Sequence, residues 1–520
     1  MRKSRVIIGL VLIAVLAVTL TLAGCSGKAK NTGKTIIMAR PADSDNLDPV
    51  MQDGNVNIWV FNLAMEGLVK TDNEGTKNDL PALATEYKWS DDKKAITFTL
   101  RKGVKFSDGT NMTADDVVFS LNRAYQTKDS PWQFALDAIS KVEKVDADHV
   151  KVSLKQPAPA AMAGLAMFNA VITSKAYFDK VGAQGYSQKP LGTGPFYIAE
   201  WKKGEYILLK RNPYYWEKGK PLVDQIKITV VPDDNTRIMQ LQSGAVDMVE
   251  NIPFSRIADI QKDPNLNMIL VPSTMTYYLG FNLTKKPFDN LKVREALAYG
   301  TDKAALIKTV VFGAGYEATS FMPKSGPNWD ATIKSRPYDP DKAKAMLKDA
   351  GVAPGTKLEL SINSANVTQV QIATVLKDQW ARIGIDLQVK QMDNATLRST
   401  YKALNHQIII AGWTNDIVDP SEIAAYMTYP DTSKNFWTGW AIADPAGAKK
   451  AEDLARKAEY ETDAAKRTQE YNELQEYIDQ QMPRISLYHT PYTFATSKKI
   501  TGFVQTPLGN YLFQNLDKTK

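Results

Sequence analysis

Asp416 is the acidic residue whose position in the sequence most favours a role in binding. It follows the apolar run Ile408-Ile409-Ile410 and the segment Gly412-Trp413-Thr414-Asn415. Such a run predicts a strand buried on both faces, and open α/β sheets bind ligands at the carboxyl ends of their strands. A carboxylate in that place can accept charge-assisted hydrogen bonds from an ammonium group. The residue types alone leave a second interpretation open, in which Asp416 is a solvated loop carboxylate.

Residue patterns typical of metal binding and of nucleophilic catalysis are absent from the sequence. The three histidines, His149, His406 and His489, are far apart, and no Gly-x-Ser-x-Gly segment occurs. Residues 313–318 formally fit a dinucleotide fingerprint, but they follow a predicted helix rather than a strand, which favours an ordinary loop. We therefore expect a protein without a cofactor or a metal site that is not an enzyme. An exported hydrolase is the enzymatic alternative.

The only cysteine, Cys25, lies directly after an apolar stretch near the N-terminus. A basic start and the apolar residues 6–22 precede it, and the small residues Ala23 and Gly24 come just before the thiol. This layout is that of a secretory signal and resembles a bacterial lipobox. The resemblance implies that residues 1–24 are removed, that Cys25 receives a diacylglycerol and that residues 25–34 form a tether.

Two acyl chains are enough for stable membrane anchoring, so we expect the chain at the outer face of the cytoplasmic membrane. An uncleaved transmembrane anchor is the alternative, because the apolar stretch reaches the lower length limit for a membrane span. Both interpretations place residues 26 onward outside the cytoplasm.

The composition is that of an ordinary globular protein. Of 520 residues, 44% are hydrophobic and 23% are charged, and the formal net charge is +7 at pH 7. Part of this charge precedes the apolar stretch and the rest is dispersed, which argues against nucleic-acid binding. With a single cysteine no internal disulfide can form, so the fold depends on its core. At this length we expect two or three domains in a monomer.

Short strands alternate with helices along the whole chain, which predicts an α/β architecture. Residues 96–100 alternate apolar and polar side chains as a half-buried strand does, and Thr113 is placed as the N-cap of a following helix. Residues 358–362, 368–383 and 385–389 have the patterns of a strand, a helix and a strand. That order predicts a right-handed parallel crossover.

Five segments resemble extracellular solute-binding proteins of peptide and nickel ABC transporters. Residues 96–117, with the core Arg101-Lys102-Gly103-Val104-Lys105-Phe106-Ser107-Asp108-Gly109, resemble the signature of that family. Four more segments recur in the same order in the family: Gly192-Thr193-Gly194-Pro195-Phe196, Arg211-Asn212-Pro213-Tyr214-Tyr215-Trp216, Leu241-Gln242-Ser243-Gly244-Ala245-Val246-Asp247 and Phe288-Asp289-Asn290-Leu291-Lys292-Val293-Arg294. The similarity spans nearly all of residues 35–510.

The resemblance implies a two-lobed clamp of the type II periplasmic-binding-protein kind with an additional inserted domain. The implied limits are residues 35–72, 190–284 and 488–520 for lobe I, 73–189 for the inserted domain and 285–487 for lobe III. A peptide ligand would be held between the lobes and passed to the permease of an importer that is powered by its ATPase. Ligand contacts from both sides would stabilise the closed clamp.

The resemblance also implies where the ligand is held. In peptide-binding members of the family, an aspartate a few residues after a strand-terminal Gly-Trp pairs with the α-amino group of the ligand. Asp416 matches that aspartate, and Gly412, Trp413 and Asn415 accompany it. Asp419, which precedes a proline, is the rival carboxylate, and we expect it to cap or shape the loop.

Three further residues are weaker candidates for ligand contact. Tyr488 ends a predicted strand near the return to lobe I. Ala39 and Arg40 end the first predicted strand, where the backbone can hydrogen-bond to an extended peptide without a particular side chain.

One departure from the family concerns the carboxylate end of the ligand. Dipeptide-specific members place an arginine before the helix that here contains Trp380, and the matching residues 367–371 read Val-Thr-Gln-Val-Gln. A receptor for longer peptides is therefore favoured, unless Arg40, Arg382 or Arg398 takes over this role. Receptors for an oligosaccharide or a nickel chelate, and a lipoprotein that senses peptides without importing them, remain alternatives, since one fold serves many ligands.

Overall fold

The computed structural model describes residues 33–52, 54–430 and 436–519. The predicted signal, Cys25 and most of the predicted tether lie outside these residues. Three larger sheets, of seven, six and four strands, organise the described part of the chain. We call each sheet with its helices the seven-stranded, six-stranded or four-stranded domain. Short two-stranded ladders pair Val69–Lys70 with Leu80–Pro81 and Ile500–Thr501 with Asp517–Lys518.

The seven-stranded domain is assembled from segments that are far apart in the sequence. Its strands, in spatial order, are Leu266–Val271, Tyr492–Ser497, Met248–Glu250, Thr35–Arg40, Gln225–Val230, Tyr206–Arg211 and Phe196–Lys202. The central strand Thr35–Arg40 pairs in parallel with a neighbour on each side. The helices of this domain are Asn55–Phe61, Asp234–Gln242 and Ile257–Lys262.

The four-stranded domain is antiparallel and lies within the predicted insertion. Its strands, in spatial order, are Ala84–Trp89, Ala95–Leu100, His149–Leu154 and Ile139–Lys144, and its helices are Ala114–Gln126, Ala161–Leu165 and Lys175–Gln188. Thr113 caps the first of these helices as predicted. Its hydroxyl accepts the N–H of Asp116, and the Asp116 carboxylate accepts the N–H of Thr113 at 2.9 Å, which satisfies two otherwise unpaired donors.

The six-stranded domain contains most of the second half of the chain. Its strands, in spatial order, are Tyr316–Glu317, Arg484–His489, Thr276–Phe281, Ile408–Trp413, Thr356–Asn363 and Ile385–Met392. Its helices are Leu291–Tyr299, Lys303–Val310, Pro340–Asp349, Val367–Arg382, Asn394–Lys402, Pro420–Thr428, Trp440–Ala443, Pro445–Tyr460 and Ala464–Gln481. The predicted crossover is present, because strands Thr356–Asn363 and Ile385–Met392 pair in parallel and helix Val367–Arg382 connects them.

The chain passes between the seven-stranded and six-stranded domains at two neighbouring places. Strand Leu266–Val271 continues into Thr276–Phe281, and Arg484–His489 continues into Tyr492–Ser497. The connecting residues touch, since the Ser273 hydroxyl donates to the carbonyl oxygen of Thr490 at 2.5 Å. Short connections of this kind absorb the backbone rotations when domains close, so we call residues 272–275 and 490–491 the hinge segments.

Two strands differ from the predicted lobe limits. Strand Thr276–Phe281 falls within the range 190–284 predicted for lobe I, and Tyr488 falls within the range 488–520 predicted for the same lobe. Both lie in the six-stranded sheet, where Tyr277 pairs with Tyr488. The reason is that a strand joins the sheet with which its backbone makes hydrogen bonds, and this partner is not visible in a local pattern.

Candidate functional site

A cleft lies between the seven-stranded and six-stranded domains, beside the hinge segments. It consists of two chambers with volumes of about 450 and 460 Å³, which are within the usual size of ligand pockets. Asn55 and Met275 line both chambers, so the two spaces are adjacent. Trp132 also lines the first chamber, and residues of the seven-stranded domain, among them Trp59 and Glu250, line the second.

Strand Ile408–Trp413 ends at the first chamber. Its first three residues are almost completely buried, as predicted for a strand covered on both faces. Gly412, Trp413 and Asp416 all line the chamber. The structure therefore brings together three of the residues predicted from the sequence, at the carboxyl end of a central strand.

Asn415 lies in the same loop but is not among the residues that line the two chambers. It is buried, its N–H donates to the Thr274 hydroxyl at 2.9 Å, and the same hydroxyl donates to the Asn415 carbonyl oxygen at 3.3 Å. Thr274 belongs to a hinge segment. Asn415 therefore connects the loop of Asp416 to the hinge rather than contacting the cleft.

A buried carboxylate holds the backbone of Asp416. The Asp416 N–H donates to Oε2 of Glu422 at 2.7 Å, and the N–H of Ile417 donates to the same oxygen at 3.0 Å. Glu422 lies in the first turn of helix Pro420–Thr428. The conformation of the loop therefore depends on a side chain six residues further along the chain.

Asp419 has the capping role that the sequence predicted. Its carboxylate accepts the N–H of Ser421 at 2.9 Å at the start of helix Pro420–Thr428. Both of its oxygens also accept hydrogen bonds from the Arg467 guanidinium, at 2.8 and 2.9 Å. This bidentate ion pair fixes the beginning of the helix, and it leaves Asp416 as the aspartate of this loop that lines the first chamber.

Asp416 acts electrostatically on the opposite wall of the cleft. Tyr492 lies on the seven-stranded side, and burial together with the negative charge of Asp416 raises the pKa of its phenol. Glu250 also lines the second chamber, and burial raises the pKa of its carboxyl group although it accepts a hydrogen bond from the Tyr511 hydroxyl at 2.5 Å. The cleft thus has acidic groups on both walls.

Tyr488, Ala39 and Arg40 are not among the residues that line the two chambers. Tyr488 is fully buried, and its ring lies beside that of Tyr277, with centroids 5.3 Å apart. Ala39 is in the central strand, whose backbone pairs on both sides. The Arg40 guanidinium donates to the Val56 carbonyl oxygen at 2.7 Å and to Ser44 at 3.0 Å within the seven-stranded domain. The structure therefore gives these three residues roles in packing and sheet pairing.

The three candidate arginines lie in different surroundings. Arg398 lines the first chamber, whereas Arg382 is exposed and pairs with Asp378 at 2.6 Å. Arg40 is buried as described. Residues 367–371, where the family resemblance directs the search for an arginine, face the cleft, because Val367, Thr368 and Gln371 line the second chamber.

Sequence reasoning missed the aromatic walls of the cleft. Tyr277 and Tyr492 lie on either side of the hinge segments, and Trp59 lies on the seven-stranded side of the second chamber. Trp132 and Tyr401 line the first chamber. These five residues come from five separate parts of the chain, so their only signal in the sequence was the aromatic content of the chain.

The described residues contain no group of three or more histidine, cysteine or acidic side chains arranged to hold a metal ion. Burial lowers the pKa of both His406 and His489 to about 4, so both imidazoles are neutral at pH 7. Among the helices of the described part, none is long and apolar enough to cross a membrane.

Comparisons with known proteins point to one family. The family model described as "Bacterial extracellular solute-binding proteins, family 5 Middle" matches residues 80–435. The chain is 29% identical to the dipeptide-binding protein of Escherichia coli K12, over 96% of this chain and 97% of that protein. It is 31% identical to the glutathione-binding protein GsiB of Shigella dysenteriae, over 97% of this chain and 98% of that protein.

A solved structure shares the fold. The periplasmic binding protein DppA of Helicobacter pylori, in complex with the peptide STSA, is 25% identical to the chain. It superimposes with a TM-score of 0.81, and the match covers 94% of this chain and 98% of that one. This similarity confirms the predicted fold class.

Proposed function

The chain belongs to the bacterial extracellular solute-binding proteins of family 5, and we propose that it captures peptides in the cleft for an ABC importer. The observation that carries this proposal is the Asp416 carboxylate in the lining of the first chamber, at the carboxyl end of strand Ile408–Trp413. A peptide α-ammonium loses its water on entering the cleft and requires a charged acceptor in exchange. Asp416 supplies that acceptor.

The shape of the cleft favours peptides longer than two residues. Two adjacent chambers extend along the interface, and residues 367–371, where the family resemblance implies an arginine in dipeptide receptors, here present Val367, Thr368 and Gln371. Arg398 lines the same chamber as Asp416 and is the arginine best placed to meet a ligand carboxylate. In this proposal the ligand lies extended between the two, along the aromatic walls.

In this proposal, the domains close on the ligand and open again by rotation at the hinge segments. A ligand in the cleft contacts both domains only when they are closed, so binding shifts the population toward the closed form. The closed form then meets the permease, while the ATPase supplies the energy for transport. A diacylglycerol on Cys25 would keep this monomeric receptor at the outer face of the membrane and raise its effective concentration near the permease.

Asp416 also favours one ligand class over the others. A sugar receptor requires stacking surfaces and few charges in its cleft, whereas a carboxylate facing the chamber favours a ligand with an amine.

Native mass spectrometry of protein purified without refolding tests the proposal. A closed clamp retains ligand, so we expect additional masses that correspond to peptides. Protein unfolded in guanidinium, dialysed and refolded is the matched ligand-free control, and it should regain the same masses from a peptide digest. Retained sugars or metal chelates, or cleavage of the added peptides, would contradict the proposal.

A further inference from the structure

Glu422 lies directly behind Asp416 without lining either chamber of the cleft. Its side chain is 1% exposed and faces a small cavity on the other side of the loop, toward the four-stranded domain. One oxygen of its carboxylate accepts two consecutive backbone N–H groups, those of Asp416 and Ile417. Together the two bonds hold the two peptide planes that flank Cα of Asp416.

Glu422 is on a rigid element. Every residue of helix Pro420–Thr428 is buried, and the Asp419 cap together with its bidentate pair to Arg467 fixes the start of this helix. On the other side, Thr274 holds Asn415 through two hydrogen bonds. A functional carboxylate placed by side chains that are themselves fixed keeps its geometry, and loss of such support loosens the site.

Resting on the proposed function, we propose that Glu422 is the positioning residue of the binding loop. It holds the backbone at Asp416 so that the Asp416 carboxylate meets the α-ammonium of the ligand. The N–H groups of Asp416 and Ile417 would otherwise be left without this acceptor in a largely buried loop, and the backbone would turn to find others. The Asp416 side chain would then leave the position from which it contacts the ligand.

This role predicts a specific effect on recognition of the amino end. The probes are alanine peptides of two to five residues with free amino ends, and the same peptides with N-acetyl groups, measured by calorimetry. In the unaltered protein, acetylation should weaken binding about 10–100-fold, because it removes a charge-assisted hydrogen bond to Asp416. In Glu422→Ala this acetylation penalty should fall to about 3-fold or less, since a misplaced carboxylate forms at most a weak bond.

Two further variants separate position from stability. Glu422→Gln retains an oxygen that can accept both N–H groups, so it should restore most of the acetylation penalty. Glu422→Asp keeps the charge but withdraws the oxygen by one methylene, so N-acetylation of the peptide should weaken its binding to this variant by about 3-fold or less. This variant provides the test if Glu422→Ala fails to fold. Glu470→Ala is the matched control, because Glu470 is another buried glutamate of the same domain and it pairs with Lys457 at 3.1 Å. This control should keep the penalty of the unaltered protein.

The possible results distinguish the inference from the function on which it rests. If the unaltered protein does not discriminate between free and acetylated peptides, the amine anchor at Asp416 fails and the positioning role fails with it. If the unaltered protein discriminates but Glu422→Ala and Glu422→Asp do so equally well, only the positioning role is overturned. Equal weakening of free and acetylated peptides in these variants would also overturn it, because that result indicates a general loss of structure.

Discussion

The indole ring of Trp413 stacks on the phenol ring of Tyr426, with ring centroids 3.9 Å apart and planes inclined by 15°. Both residues line the first chamber, and the Tyr426 hydroxyl is 2.8 Å from the hydroxyl of Tyr278. Tyr278 is buried in the core of the six-stranded domain. Trp413 is therefore both a wall of the cleft and an extension of the core, which combines the two roles expected of a tryptophan in this place.

The stacked wall predicts a graded effect of substitutions at Trp413. Trp413→Ala removes a flat apolar surface from the chamber and should weaken peptide binding about 3–10-fold, in line with the usual contribution of an aromatic pair. Trp413→Phe retains a ring on Tyr426 and should cost less. Calorimetric titration with a free peptide measures both. Trp201→Ala, at a tryptophan that is not among the cleft-lining residues, is the control, and an equal loss there would contradict a specific role of Trp413.

Asp416→Asn should selectively weaken binding of peptides with a free amino end. The substitution preserves shape but removes the charge, so affinity should fall about 10–100-fold. Peptides that are N-acetylated should bind almost as before, because they have no ammonium group to lose. Asp378→Asn, at an exposed aspartate paired with Arg382, serves as the control. Unchanged affinity of Asp416→Asn for free peptides would disprove the anchor.

The buried carboxyl group of Glu66, which does not line the cleft, should make the stability of the folded protein depend on pH. Burial raises the pKa of its carboxyl group from 4.5 to about 7, although Thr193, Trp216 and Tyr215 donate hydrogen bonds to it. The folded state therefore binds the proton more tightly than the unfolded state. The stability that this group contributes is fully present below pH 4.5 and is lost as the pH rises through about 7, by about 3 kcal/mol in all.

Glu66→Gln removes this titration, so the variant should lose less thermal stability than the unaltered protein between pH 5 and pH 8. The midpoint temperatures of thermal unfolding at the two pH values measure the difference. Glu74→Gln, at an exposed glutamate, should behave like the unaltered protein. A variant of Glu66 with the same pH dependence as the unaltered protein would show that another group titrates.

Cys25→Ser tests the membrane anchor, which the sequence predicts outside the described residues. The variant cannot receive a thioether-linked diacylglycerol, so it should leave the membrane fraction. Peptide affinity should remain unchanged, because the cleft lies in residues far along the chain. Fractionation of cells and calorimetry on the released protein measure the two effects. Retention in the membrane fraction would favour the uncleaved apolar anchor instead.

The sequence by itself determined the elements and the family. The Thr113 cap, the buried strand at Ile408-Ile409-Ile410 and the crossover through Val367–Arg382 follow from patterns within a few residues, and the structure contains all three. Helix caps and side-chain periodicity are local properties of the backbone. The position of Asp416 after a strand-terminal Gly-Trp is also a pattern within a few residues, so the sequence shows it directly.

The tertiary structure alone decided which residues share the cleft and what supports them. The charge of Asp416 raises the pKa of Tyr492, and Thr274 forms hydrogen bonds with Asn415. These pairs are separated in the sequence by tens to more than a hundred residues. In the tertiary structure the backbones of Ala39 and Tyr488 pair with neighbouring strands, and Glu422 accepts hydrogen bonds from the loop of Asp416. These relationships depend on which strands pair and where the chain crosses the hinge. Long-range pairing and side-chain packing decide that, and neither leaves a periodic signal in the sequence.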